Sequence, residues 1–419
     1  MRFARFTRMG AVVGLLALGG VLTVRAQDNT RQNAGDLPGS EQIKERLPRD
    51  QYEAAWVRLF DGTTTFGWEP HSAEGWTIAD QALQSTDGAA TIATKAEFAD
   101  FELAGEIYVE NGGTATLNLR APASGDITAA NAAQVRFLEK GRTAVKKDTL
   151  LVTNGKWNPF YITLDGGKLI HAPDSKGRKT TLTVTPRRGI IALTSGGKGT
   201  VRFRNLVLRA RGFKSLFNGK DLTGWTPVPK HKSVFSVTPE GFLNIKNGNG
   251  DIQSAGQYGD FVLTLDVYSN GDHLNSGVFF RELPGEFWAG YEDQIRNQWE
   301  GDDRTKSVDY GTGGVYNRQP ARKVVSSDRE WFTMTLVVTG NHIASYVDGY
   351  EVADFTDTRP VTADKNARNG RRDEPGCLGL QGHDPTTDLS FRNIRIVELP
   401  SASKSTSKST AQSASANTR

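Results

Sequence analysis

The chain has 419 residues, of which 37% are hydrophobic and 23% charged, with 51 Lys and Arg against 47 Asp and Glu. A chain of this length can bury large cores without covalent staples. Its one cysteine, Cys377, excludes an intramolecular disulfide and a cysteine-built zinc site, and Gly376-Cys377-Leu378 reads as a small core position.

Residues 1–26 read as a secretory signal. Arg2, Arg5 and Arg8 open it, Ala11 to Val24 is apolar, and Val24-Arg25-Ala26 offers cleavage before Gln27. The apolar run is short and glycine-rich for a span, which takes roughly 20 apolar residues. An exported protein, periplasmic or extracellular, with no stable membrane span after signal cleavage is expected; an uncleaved anchor is the alternative. Loss of this segment removes four arginines and takes the formal charge from +4 to 0. The Ser/Thr/Lys tail at 400–419 carries Lys404, Lys408 and Arg419 without an acid, so the remainder is slightly acidic. No basic stripe is left to neutralise phosphates, and no nucleic acid partner is expected. The tail itself cannot bury a core and is expected to be disordered.

Residues 27–50 read as a linker, and a short helix is expected within 39–56, the one stretch with helical periodicity. Beyond it the chain repeats itself. LFDGTTTFGW at 59–68 returns as LFNGKDLTGW at 216–225, Phe98-Ala99-Asp100-Phe101 returns as Tyr258-Gly259-Asp260-Phe261, Trp157 as Trp331, and FRNL at 203–206 as FRNI at 391–394. Units this long are tandem domains, at 51–211 and 212–399. Their runs are short, rich in Val, Ile, Phe, Thr and Tyr, and punctuated by Gly, Asn and Asp, which predicts an all-β fold of two jelly-roll sandwiches. Asp348-Gly349 marks a hairpin turn, with Asp165-Gly166 as its counterpart.

Strand parity in the second copy separates two faces. Phe261, Leu263, Leu265 and Val267 oppose Thr264, Asp266 and Tyr268; Ser276, Val278 and Phe280 oppose Asn275, Phe279 and Arg281. Likewise Tyr291 and Ile295 oppose Glu292 and Gln294, and Leu378 and Leu380 oppose Gln381 and His383. If these strands are neighbours, Asp266, Asn275, Arg281, Glu292, Gln294, Gln381 and His383 line one surface. Asp293 breaks the pattern, since parity puts an acid on the core side and requires either a bulge or a partner.

The motifs LFNGKDLTGW (216–225), YGDFVLTLDV (258–267), NSGVFFR (275–281), YEDQI (291–295), GTGGVY (311–316), LGLQGHD (378–384) and FRNIRI (391–396), in this order, resemble the 3-keto-disaccharide hydrolase domain family. The resemblance implies a concanavalin-like or glucanase-like jelly roll and a carbohydrate substrate, a glycoside already oxidised to a ketone at carbon 3. It implies cleavage through removal of the carbon 2 hydrogen, which needs a base, donors for the enolate oxygen and an acid for the leaving group. On that reading Glu292 is the base, His383 the acid or alternative base, and Arg281 and Asn275 are donors to the ketone or enolate oxygen. Asp266 orients His383 or binds a hydroxyl, and Gln294, Tyr316, Gln381 and Asp384 complete substrate binding. The first copy replaces these motifs with TATLNLR (114–120), AQVRF (133–137) and IALTSGG (191–197), so it reads as catalytically silent.

No spacing motif fixes a metal; a divalent ion at Glu292, Asp266 and His383, or calcium near Asp302-Asp303 or Asp384, stays open. Two other functions compete. A lectin-like module pair would bind sugar without turnover, on platforms such as Trp288, Trp299 and Tyr316. A conventional β-glucanase would carry a Glu-x-Asp-x-x-Glu run, and none occurs. The charged segment 299–323 is either a loop over the open face or a solvated insertion.

Overall fold

Alternation of apolar and polar side chains sets the architecture. The strand Phe261–Ser269 buries Phe261, Leu263, Leu265 and Val267 in one cluster with Val278, Phe280, Leu378 and Leu380 of the facing sheet. The computed structural model describes residues 43–72, 74–140, 146–173, 180–185 and 187–400. The leader expected at 1–26 and the tail beyond Pro400 lie outside the described residues.

Each repeat is a two-sheet β-sandwich. The first pairs an eight-stranded with a six-stranded sheet, and the second pairs an eight-stranded with a five-stranded sheet. In the second sandwich the five-stranded sheet runs in the spatial order Trp225–Pro227, Gly250–Tyr258, Gly376–Gly382, Ser276–Glu282, Tyr291–Ile295. All its pairings are antiparallel, and the central strand Gly376–Gly382 is inserted between strands that precede it by about a hundred residues. The hairpin joining His342–Val347 to Tyr350–Thr356 turns at Asp348 and Gly349, both at positive φ.

Three expectations are corrected or resolved here. The helical periodicity at 39–56 gives a single turn, Arg49–Tyr52, bounded by Pro48 and by the left-handed Ala55, after which the strand Trp56–Arg58 starts at once. Asp293 does face the core, without a bulge, and its carboxylate accepts from Ser345 Oγ at 3.0 and 3.1 Å. Burial pushes that carboxyl up to about 8. The segment 299–323 extends the five-stranded sheet irregularly: Gly313 N–H donates to Gln294 O at 2.8 Å and Tyr316 N–H to Glu292 O at 2.9 Å.

The first sandwich covers the outer face of the second's eight-stranded sheet. Val262, Val337, Ala344 and Tyr346, which point away from the second core, join the core cluster of the first. Lys95–Asp354 and Arg322–Asp61, both at 2.7 Å, and an Arg188–Asp260 pair fasten the contact. The five-stranded sheet is therefore on the side away from the first domain.

Candidate active site

Six of the nine residues singled out from the sequence converge on the outer face of the five-stranded sheet. Asn275, Glu292, Gln294, Tyr316, Gln381 and His383 line a cleft of ≈ 240 Å³ together with Asn249, Phe287 and Trp288. Register explains the convergence: Gly277 is opposite Gln294, Phe279 is opposite both Glu292 and Gly379, and Asp251 is opposite Gln381. Side chains in register on adjacent antiparallel strands share a face, so one surface is assembled from segments more than a hundred residues apart.

Glu292 is 2% exposed. Arg368 Nη2 donates to its Oε2 at 2.7 Å, and Trp288 Nε1 donates to the same oxygen at 3.3 Å. Burial pushes the carboxyl up, while Arg368, Trp288 and His383 pull against that rise. The Arg368 guanidinium also lies 4.2 Å from the Trp288 ring centroid and 5.3 Å from that of Tyr316. His383 is half exposed, and its Nδ1 is 2.9 Å from Asp384 Oδ2. Burial alone would raise the Asp384 carboxyl, but bonds from Thr386 and His383 outweigh it and hold the group below its ordinary value. With Nδ1 turned to Asp384, the imidazole has Nε2 free to face a ligand. Asp384 thus orients His383, the part assigned from sequence to Asp266, and its other oxygen accepts from Thr386 N–H.

Arg281 and Asp266 are elsewhere. A bulge at Arg281, at φ +48°, breaks parity between Phe279 and Glu282 and turns the guanidinium inward. There it donates to Gly259 O at 3.0 Å, Arg372 O at 2.9 Å and Asp260 Oδ1 at 2.9 Å. Arg120 does the same in the first sandwich, at φ +52°, with Ala99 O, Gly166 O and Asp100 as its acceptors. Asp266 is on the opposite sheet, where it accepts from Thr333, Arg392 and Asn393. Its counterpart Glu106 accepts from Arg204 and Asn205, and in both copies the arginine lies 4.0 Å from a tryptophan ring, Trp331 or Trp157. Both are scaffold. Retention of the Arg and of FRN in the first copy, which lacks the cleft motifs, was the signal that separates them from the cleft.

With Asp266 on the far sheet, the proposed ligand trio with Glu292 and His383 does not form, and Asp303 is engaged by Thr305. Among the described residues no group of three or more His, Cys, Asp or Glu is placed to hold an ion. Trp299 lies beneath the Arg304 guanidinium, 3.9 Å from its ring centroid, and outside the cleft lining.

Sequence reasoning missed Asn249 and Phe287 of the cleft lining and two residues that bond its polar groups, Arg368 and Asp309. Arg368 comes from an irregular segment without a motif, and the first copy has no cleft glutamate to which a partner could be matched. Asp309, on the 299–323 segment, accepts from Asn275 Nδ2 at 2.7 Å and Gln294 Nε2 at 3.1 Å. Among the described residues that leaves Asn275 Oδ1 and Gln381 Oε1 as buried acceptors without a partner, suited to ligand hydroxyls.

The Glu292 carboxylate lies over Gly277, where a Cβ would come 2.6 Å from its Oε1. Gly277→Ala is expected to shift the carboxylate by several tenths of an ångström and lower kcat about 10-fold or more, in line with the sensitivity of positioned groups to small displacements. Fold, measured by thermal melting, should change little, because the first copy carries Thr116 at this register position.

The family described as the 3-keto-alpha-glucoside-1,2-lyase-like domain matches the chain twice, over residues 55–209 and 212–397. Similar solved structures include two candidate glycosyl hydrolases from Parabacteroides distasonis. One is 24% identical with a TM-score of 0.38, covering 45% of this chain and 100% of its own. The other is 22% identical with a TM-score of 0.36, covering 45% and 94%. A carbohydrate-binding module from Bacillus subtilis is 14% identical with a TM-score of 0.27, covering 34% and 96%. No curated protein matches the chain.

Proposed function

The chain belongs, through both of its sandwiches, to the 3-keto-alpha-glucoside-1,2-lyase-like family, and from this premise we propose that its second domain cleaves the glycosidic bond of 3-keto glycosides or disaccharides by base-assisted elimination. The observation that carries the proposal is the lining of the cleft: one carboxylate, Glu292, among amides, aromatics and a histidine. Ordinary glycosidases need two carboxylates flanking the bond. A 3-keto sugar needs one base, because the ketone already acidifies the carbon 2 hydrogen.

Glu292 takes the proton from carbon 2, and the C–H electron pair becomes the enolate across carbons 2 and 3. As Glu292 is neutralised, its ion pair with Arg368 is released, and the guanidinium is free to donate to the enolate oxygen. Collapse of the enolate restores the ketone, forms the double bond between carbons 1 and 2, and breaks the bond to the glycosidic oxygen. His383, held by Asp384, gives that oxygen its proton. Addition of water to the unsaturated sugar completes net hydrolysis. Asn275, Gln294, Gln381 and Tyr316 hold hydroxyls, and the half-exposed Trp288 offers a stacking face for the departing group. The signal-like pattern of residues 1–26 supports an activity outside the cytoplasm.

Turnover of aryl 3-keto-glucosides of both anomers, beside the unoxidised aryl glucosides, tests the reading. Release from the keto substrates alone is expected. Release from the plain glucosides would favour a conventional glucanase, and binding without release from either would favour a lectin-like module.

Arg368→Gln carries a signed pH prediction. Arg368 holds the Glu292 carboxyl down against burial, so its removal should move the acidic limb of kcat/KM to higher pH. The maximal rate should fall about 10²–10³-fold, the loss typical of one oxyanion donor.

A further inference from the structure

The strand Ser276–Glu282 leads into the segment 283–290, which carries Phe287 and Trp288 into the cleft wall. Beneath this segment lie two acids outside the roles above, Asp251 and Glu282, both 0% exposed. Their carboxylates converge over Gly379, where a Cβ would come 2.4 Å from Glu282 Oε2 and 3.0 Å from Asp251 Oδ2. No basic side chain pairs with either among the described residues, and both Asp251 oxygens and Glu282 Oε2 lack a donor. Two carboxylates this close, with no basic side chain between them, cannot both be charged in a buried site. One proton shared between them removes the conflict.

Gln253 and Glu282 hold the backbone of the segment. Gln253 Nε2 donates to Leu283 O and Glu286 O, both at 3.2 Å, and its Oε1 accepts from Gly285 N–H at 2.8 Å. Ala289 N–H is directed at Glu282 Oε1 at 3.4 Å. The first sandwich solves the same problem with apolar contacts. The register positions of Gln253, Glu282, Cys377 and Gly379 are there Ala93, Ala121, Ile190 and Ala192, and Thr91 replaces Asp251. Ile127, from the corresponding connection, packs on that alanine floor. The fold therefore does not require the acids; the copy that carries Glu292 has them.

We propose that Asp251 and Glu282 share one proton and act as positioning residues, which with Gln253 seat the 283–290 segment so that Phe287 and Trp288 wall the cleft, and which release it when the proton is lost. Burial raises both carboxyls, and for Glu282 the Asp251 charge adds to the rise. The surrounding groups are few: Cys377 on the adjoining strand, whose thiol is pushed up by burial and by both acids; Arg372, which opposes that rise; and the exposed Glu286 on the segment itself. Because the folded pair keeps its proton to higher pH than the unfolded chain does, rising pH withdraws stability from this seat.

Hydrogen exchange on the full chain, read as protection factors of the Gly285 and Ala289 amides from pH 5 to pH 9, tests this without substrate, so it stands or falls apart from the activity assigned above. Protection should fall at least tenfold with rising pH in the native protein and stay level in Glu282→Gln, which cannot ionise, or in Asp251→Asn should the first variant not fold. If the activity holds, KM should rise with pH in the native protein and not in the variant. Pitted against this, level protection in the native protein, or an equal fall in both variants, would overturn the proposal. So would a loss of protection on adding a chelator at constant pH, which would mean that a cation, and no proton, joins the two acids.

Discussion

Glu292→Gln should lose two to four orders of magnitude in turnover of a 3-keto glycoside while melting within a few degrees of the native protein. The rate loss is the usual size for a general base removed from a reaction that needs one. Stability should hold because the substitution keeps shape and removes a buried charge; the carboxylate is 2% exposed, and burial already disfavours its ionised form. Arg368 loses an ion-pair partner but remains partly exposed and stacked on Trp288, so it is not stranded. His383→Ala separates the acid from the base. With a nitrophenolate leaving group, which departs without a proton, His383→Ala should cost little; with a sugar leaving group it should cost far more. Should Glu292→Gln keep more than a tenth of native turnover, the base is another group, with His383 the first to examine.

What was legible in the sequence follows from what parity and duplication can carry. Alternation along Tyr291–Ile295 and Gly376–Gly382 placed Glu292, Gln294 and Gln381 on one face, because regular pleating leaves a side chain no other choice, and His383, just past the strand end, follows the same direction. Parity failed at Arg281, where a left-handed residue inserts a bulge. It failed differently at Asp266: outward-facing was right, but a sandwich has two outward faces, and alternation within a strand does not say which sheet the strand joins. Pairing of Phe261–Ser269 with Trp331–Thr339 and Asp388–Glu398 decides that, and it is a long-range fact. Arg368 and Asp309 were invisible for the complementary reason, since irregular segments have no period from which a direction can be read. The duplicated chain nevertheless contained a test for scaffold. Arg120, Glu106 and the FRN motif persist in a copy without equivalents of Glu292 and His383, so persistence there marks Arg281 and Asp266 as parts of the frame.

Arg281→Ala should therefore have a large effect as well, and one on folding. The guanidinium is 1% exposed, and burial pushes its proton affinity down against the pull of Asp260. Its removal strips donors from two carbonyls, Gly259 O and Arg372 O, and takes from Asp260 one of its two arginines. Breaking one side of a buried charged network costs about 3–5 kcal/mol, which in a domain of this size is a fall of about 10 °C in Tm at 2–4 °C per kcal/mol. Arg120→Ala should destabilise the first sandwich comparably, since it too bonds two carbonyls and an aspartate, of which Ala99 and Asp100 are the counterparts of Gly259 and Asp260. Activity should fall with Arg281→Ala only in step with the folded fraction, and recover on cooling. A catalytic arginine would behave the other way, with an unchanged melt and a collapsed kcat. The bulge also explains why Arg281→Lys should fail to rescue: an ammonium cannot reach in three fixed directions at once from a left-handed residue, as a planar guanidinium does.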